Sequence, residues 1–213
     1  MDSEFLNEDF LLSNATGHRL FHEVADHAPI VDLHNHLSAA DVAGDRVYET
    51  LSDLWLGDDH YKWRAMRLAG YEEELISGSA DPWDKFTAWA CTVPRLIRNP
   101  LYIWTHLELR RVFGIDLILD PGTAREIWDE ANRQLPGWPT QKLLQHFGVR
   151  AIATTEGPID DLTPHLSPQR EHGRLGWDDS DLSTRCCTPP SRRSDRVERV
   201  DRSTRVSFED LCG

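Results

Sequence analysis

The sequence predicts an α/β fold: an incomplete (β/α)8 barrel, represented by its first strands only, with a large helical insertion after strand one. Three observations carry this. The apolar run Ile30-Val31-Asp32-Leu33 ends in His34-Asn35-His36, the pattern of a buried parallel strand with chemistry at its C-terminal end. A second run of that kind, Val149 to Thr154, follows more than 100 residues later. The interval between them reads mostly as helix, far more chain than the dozen or so residues an ordinary crossover needs. Two separate domains remain the alternative that pattern alone leaves open.

The elements can be justified in order. Asn14 is a good cap for a helix running to about residue 27, with Leu20, Phe21 and Val24 on one face. Pro29 leads into the strand that ends at His36. Asp81-Pro82 starts a helix, with Asp at the cap and Pro in the first turn. Phe86, Trp89 and Ala90 supply its apolar face, and Pro94 should stop or kink it. Asn99-Pro100 opens another helix carrying Trp104, Leu107 and Leu109. Asp120-Pro121-Gly122 reads as a turn. Thr123 and Glu126 have capping-box spacing for a helix through about residue 135. A short helix begins at Pro139-Thr140 and is closed by Gly148, after which the second strand starts. The expected organisation is therefore 1–37, helix and first strand; 38–147, an inserted helical subdomain; 148–166, second strand and following loop; and 167–213, a tail.

Composition narrows the function classes. The chain has 213 residues, 39% of them hydrophobic, and a net charge of −13. That charge argues against a nucleic-acid-binding surface, yet leaves room for a locally basic pocket that takes a small anion. No stretch approaches the roughly 20 apolar residues of a membrane span. The start, Met1-Asp2-Ser3-Glu4, lacks the basic and apolar regions of a signal peptide. The four cysteines have neither metal-knuckle nor disulfide-framework spacing. The expected compartment is the cytoplasm.

The chemistry starts from His34 and His36. On a strand, positions i and i+2 share a face. Two neutral imidazoles there make half of a metal site, suited to zinc and similar ions. His-x-His alone is a short pattern that ten histidines in 213 residues will sometimes produce by chance.

Longer stretches carry a resemblance. Asn7-Glu-Asp-Phe-Leu-Leu12, Val31-Asp-Leu-His-Asn-His36, Asp59-His-Tyr-Lys-Trp-Arg-Ala-Met-Arg67, Asn99-Pro-Leu-Tyr-Ile-Trp-Thr-His-Leu-Glu-Leu-Arg-Arg111 and Ala153-Thr-Thr-Glu-Gly-Pro-Ile-Asp160 stand in that order. With them, residues 5–165 resemble the N-terminal third of uronate isomerase (glucuronate isomerase), in the metal-dependent amidohydrolase superfamily. The resemblance implies a distorted (β/α)8 barrel with a helical insertion after strand one. It also implies hexuronate catabolism, by interconversion of D-glucuronate with D-fructuronate and of D-galacturonate with D-tagaturonate. By resemblance, His34 and His36 are metal ligands for a divalent ion, zinc or alternatively manganese. His60 and Tyr61 match the pair that reaches from the insertion to the substrate, with Tyr61 the catalytic residue. Arg64 and Arg67 lie close enough in sequence to meet the uronate carboxylate, Arg64 being the candidate for substrate binding. A salt-bridged or solvated arginine is the plainer reading of either. His106 reads as structural. The partner implied is a small-molecule uronate, with a homo-oligomer in the full-length family. A hydrolase of the same superfamily, or a non-catalytic helical interaction module, are the competing readings.

After residue 166 the pattern changes. Residues 167–213 hold nine arginines and nine acids, so the whole net charge falls on 1–166. Without a periodic apolar face this tail is expected to be disordered. The family's last-strand aspartate ligand and a substrate-binding arginine would lie beyond Gly213. The change reads as a shifted reading frame followed by a chance stop, with a natural divergent tail as the alternative. On that reading the chain alone is expected to be inactive and poorly stable.

Overall fold

The computed structural model describes residues 7–155, 161 and 163–166. The tail expected from 167, and most of the 153–160 match, lie outside the described residues. Two parallel strands, β1 (Ile30–Asp32) and β2 (Val149–Ile152), form the sheet. Ile30 pairs with Val149, Val31 with Ala151 and Asp32 with Ile152, with a register shift after Ile30. Between the strands run α2 (Ala39–Ala43), α3 (Leu51–Leu56), α4 (His60–Leu68), α5 (Pro82–Thr92), α6 (Pro100–Phe113), α7 (Ala124–Gln134) and α8 (Thr140–His146). Helix α1 (Ala15–Leu20) precedes β1, and a helical turn, α9 (Thr163–Leu166), occupies part of what the sequence reads as loop. Among the described residues no helix is long and apolar enough to cross a membrane.

Side chains start most of these helices, at Asn14, Asp81 and Asn99 as the sequence indicates. Asn14, Ser38, Thr50, Asp59, Asp81 and Asn99 each accept a hydrogen bond from a first-turn amide. Thr123 does not. Its hydroxyl turns back to donate to the Ile118 carbonyl at 2.6 Å, and Asp120 Oδ1 takes the amides of Gly122 and Thr123 instead. The capping box expected at Thr123–Glu126 is therefore replaced by an Asp120-centred turn.

The main core lies within the helical segment. Leu51 and Trp55 of α3, Met66 of α4, Phe86 and Trp89 of α5, Leu109 of α6 and Ile127 of α7 are buried together. Trp83, Phe86 and Trp128 are in ring contact, and Trp55 stacks on Phe86. A smaller cluster, Val42, Leu144, Val149 and Ile152, packs α2 and α8 on β2. The entry and exit of the helical segment are tied together. The Thr140 amide donates to the Arg46 carbonyl at 2.9 Å, and Gln141 donates to Asp45 and to the Val42 carbonyl.

Two expectations need correction. The first strand stops at Asp32, because Asp32 Oδ1 accepts the His34 amide at 3.2 Å and turns the chain. It is also not buried: Val31 is 59% and Leu33 80% exposed. A parallel strand is buried when both faces are covered, and this one has a single paired neighbour among the described residues. Helix α1 ends at Leu20 and passes into a π-helical turn, Phe21–Ala25, with Leu20 and Val24 exposed rather than on a packed face. Trp104 lies on α6 as expected, half exposed beside the buried stripe of Leu101, Thr105, Leu109 and Val112.

Helix α6 ends at Gly114 in the left-handed region, φ 66°, where the Gly114 amide bonds the Arg110 carbonyl and the Ile115 amide bonds that of Leu109. A Cβ there meets nothing within 4 Å, so only backbone strain opposes it. Gly114→Ala is expected to cost about 1–2 kcal/mol, read as a lowered urea midpoint with an unchanged slope. An unchanged midpoint would contradict a left-handed backbone at Gly114.

Candidate active site

The bend after β1 carries both histidines, and its shape is set by Asn35 between them. The Asn35 amide nitrogen donates to the Ala153 carbonyl beyond β2 at 3.0 Å, while its oxygen accepts the Leu37 amide at 3.0 Å. This places the bend opposite the N-terminus of α4. There Asp59 caps the helix, Oδ1 accepting from the amides of Tyr61 at 2.9 Å and Lys62 at 3.2 Å. Residues 60 and 61 thus fall in the first turn, beside the bend.

Four rings meet as a result. The His34 and His36 centroids are 5.6 Å apart and edge-to-face. His36 is 4.3 Å from His60 and stacks on Tyr61 at 5.3 Å, and His60 is 4.6 Å from Tyr61. A cavity of about 870 Å³ opens here, lined by His34, His36, Tyr61 and Arg64 among others, with Trp104 on its wall. That size lies within the roughly 300–1,000 Å³ of small-molecule sites. His60 does not line the cavity but touches it through His36 and Tyr61. Burial, with the neighbouring His60, holds the His36 imidazole below its ordinary pKa, against the pull of Asp59. The neutral ring is the form that can offer a lone pair to a metal. Asp59 Oδ1 is 3.9 Å from His36 Nδ1, too far for a hydrogen bond.

Under this cluster lies a charge network absent from the sequence expectations. Lys62 is buried, and its Nζ donates to Asp59 Oδ2 at 2.8 Å. Burial alone would lower the lysine's pKa, but the carboxylates of Glu108 and Asp59 reverse this and the net shift is upward. Burial likewise pushes up the Glu108 carboxyl, against the pull of Lys62. For Asp59 burial is outweighed by Lys62 and by the amides it caps, and its pKa falls. The capping role of Asp59 is a finding of the structure. The partnership with Glu108 was not legible in the sequence, since it joins α4 to α6.

The five predicted site residues His34, His36, His60, Tyr61 and Arg64 converge here. Arg64 is exposed at the cavity and makes no ion pair among the described residues. Arg67 does not join them: its guanidinium is committed to Glu73, at 2.8 Å from Nε to Oε2, which holds that carboxyl down to about 2. His106 is structural as expected. Nδ1 donates to the Tyr102 carbonyl at 2.6 Å and Nε2 accepts the Leu119 amide at 2.9 Å, which fixes its tautomer.

Known proteins of similar sequence identify the family. The sequence model described as glucuronate isomerase matches residues 1–203, past the boundary at 166. A uronate isomerase of Vibrio vulnificus (strain YJ016) is 52% identical over 164 residues, covering 76% of this chain and 35% of that protein. One from Oceanobacillus iheyensis is 41% identical over 209 residues, 97% of this chain and 42% of its own length. The crystal structure of uronate isomerase from Thermotoga maritima superposes with a TM-score of 0.74 at 37% identity, over 84% of this chain and 38% of that one. The chain thus spans well under half the length of these relatives. It belongs to the glucuronate isomerase family.

Proposed function

We propose that the four-ring cluster is the strand-one part of a uronate isomerase active site. The substrates would be D-glucuronate, giving D-fructuronate, and D-galacturonate, giving D-tagaturonate. The observation that carries this reading is the convergence of His34, His36, His60 and Tyr61, from two distant segments, on one cavity beside Arg64. The fold proposed with it is an incomplete (β/α)8 barrel. Its helical insertion is 38–147, bounded by 1–37, 148–166 and a tail from 167. The parallel pairing of strands so far apart in sequence supports that reading.

The donor set fits a divalent metal, zinc or manganese: two imidazoles two residues apart on one bend, the better buried one with its pKa lowered toward the neutral form. When bound, the ion supplies Lewis-acid polarisation of the sugar's carbonyl and hydroxyl oxygens. This chain's residues do the rest of what is proposed. Arg64 meets the substrate carboxylate with two parallel N–H bonds. The Tyr61 phenol donates to the oxygen on which negative charge grows as hydrogen moves from C2 to C1 through an enediol-like species. His60, set behind His36 and Tyr61, buttresses the ring stack that faces the substrate. The reaction is redox-neutral: C1 is reduced as C2 is oxidised, the C2–H proton passing to C1 and the O2–H proton to O1.

The test replaces the corresponding segment of the Vibrio vulnificus relative with residues 1–166 and follows D-glucuronate by proton NMR. Conversion to the keto sugar is expected. Tyr61→Phe should slow it by about 10²–10³-fold, the usual cost of one oxyanion donor. A folded, metal-loaded chimera that fails to isomerise, or one indifferent to Tyr61→Phe, would refute the assignment. Hydrolysis of an ester or amide in its place would point to the superfamily's hydrolases.

A further inference from the structure

A second group of potential ligands lies where the N-terminal turn meets α1. Asp9 Oδ1 is 3.0 Å from His18 Nδ1 and 2.8 Å from His22 Nε2. Among the described residues these are the one group of three His, Cys, Asp or Glu side chains whose ligand atoms all lie within 4.8 Å of one another. None of the three lines the cavity beside the four rings. His18 and His22 are four residues apart, so the helix stacks them on one face. Their side chains are 38% and 42% exposed and that of Asp9 is 50% exposed, which leaves an open approach from solvent.

The distances suit a small tetrahedral ion. Ligands about 2.0–2.1 Å from zinc sit roughly 3.3 Å from one another, so the present contacts need widen by only a few tenths of an ångström. Neither ring is clamped in a core, because α1 and the π turn bury no residues. The hydrogen-bonded arrangement needs the proton on His18 Nδ1 and on His22 Nε2. Moving it to the other ring nitrogen frees both lone pairs toward the same point, with no net proton change. His22 lies in the π-helical turn Phe21–Ala25 that closes α1, one turn beyond His18.

We propose that Asp9, His18 and His22 form a Zn²⁺ site, separate from the ring cluster, that clamps the 7–12 turn onto α1. Two imidazoles and one carboxylate form a borderline donor set that suits zinc, with water completing the tetrahedron.

The experiment titrates the full chain with Zn²⁺ against a chromophoric indicator and follows amide hydrogen exchange across residues 9–25. It uses the chain itself, the His34→Ala/His36→Ala variant and the His18→Ala/His22→Ala variant. The first variant should retain a zinc equivalent that slows exchange across 9–25. Adding Asp9→Asn to it should weaken that equivalent by at least the roughly tenfold that losing even an outer-sphere partner costs. His18→Ala/His22→Ala should lose one equivalent and the exchange effect while keeping the other. Zinc that leaves exchange across 9–25 unchanged in the His34→Ala/His36→Ala variant overturns the proposal, as does unaltered stoichiometry in His18→Ala/His22→Ala. The cavity reading fails separately, if His34→Ala/His36→Ala loses no zinc relative to the unaltered chain.

Discussion

Replacing Lys62 by methionine is expected to lower the unfolding free energy by about 3–5 kcal/mol, the cost of stripping one partner from a buried ion pair. The side chain is 8% exposed and its ammonium is the cation facing Asp59, at 2.8 Å, and Glu108. Methionine fills similar space, so the loss is electrostatic. Two carboxylates, Asp59 on the cavity wall and Glu108 behind it, would then face an apolar stem, which disfavours ionising both. The sign with pH follows. In the unaltered protein Asp59 has a folded pKa below its unfolded value. It contributes stability above the ordinary carboxylate range, lost as pH falls through the depressed pKa. Glu108 has the opposite sign, raised by burial, so it costs stability when ionised and relieves that cost as pH falls. In Lys62→Met both carboxyls lose the ammonium that favours their ionised forms, although Asp59 keeps the amides it caps. The gap between variant and parent should therefore be widest near neutrality and narrow as pH falls to about 4, where carboxyls protonate. Guanidinium denaturation at the two pH values measures this. Equal midpoints at neutral pH would show that the network carries no net stability. Adding Glu108→Gln to Lys62→Met should recover part of the loss, and a double-mutant cycle isolates the coupling.

Phe86→Ala should cost a similar amount, about 3–5 kcal/mol, by a different route. Phe86 is fully buried and touches the rings of Trp55, Trp83 and Trp128, at centroid distances of 6.2, 6.0 and 5.0 Å. These rings belong to α3, α5 and α7, so one side chain joins three helices. Alanine leaves a void that three indoles held by their own helices cannot all close. The aromatic contacts add roughly 0.5–1.5 kcal/mol per pair beyond buried area. Phe86→Leu keeps most of the volume and should cost clearly less. Thermal midpoints would separate the two, at roughly 2–4 °C per kcal/mol for a domain of this size. Equal loss in both variants would locate the effect in the rings rather than the cavity.

The helical middle of the chain was legible because its signals are local. Asp81-Pro82 and Asn99-Pro100 name their own helices, and both start where the sequence places them. The histidine pair and the His60-Tyr61 pair were found by motif, and the structure brings their rings together. What failed to show was tertiary. Thr123 has the spacing of a capping box, yet Asp120 sits closer to the free amides and takes them. Asp32 is a strand residue, as it looks, but its carboxylate also turns the chain that the sequence carries on to His36. Lys62 and Glu108 read as surface charges, since nothing within either helix reveals that α4 and α6 bring them together. Asn35 hides most completely. Between two histidines it resembles filler, and its work depends on a carbonyl 118 residues away.

That last bond fixes an order of events on the ribosome. Until residue 153 has left the exit tunnel, the nascent chain has no acceptor for Asn35, whereas the helices from α3 to α7 can already close on one another. Long-range contacts of this kind form late, because a large loop must be closed before they reward the chain. The histidines precede the helical segment in the chain, yet their geometry is completed after that of the helices that separate them from β2.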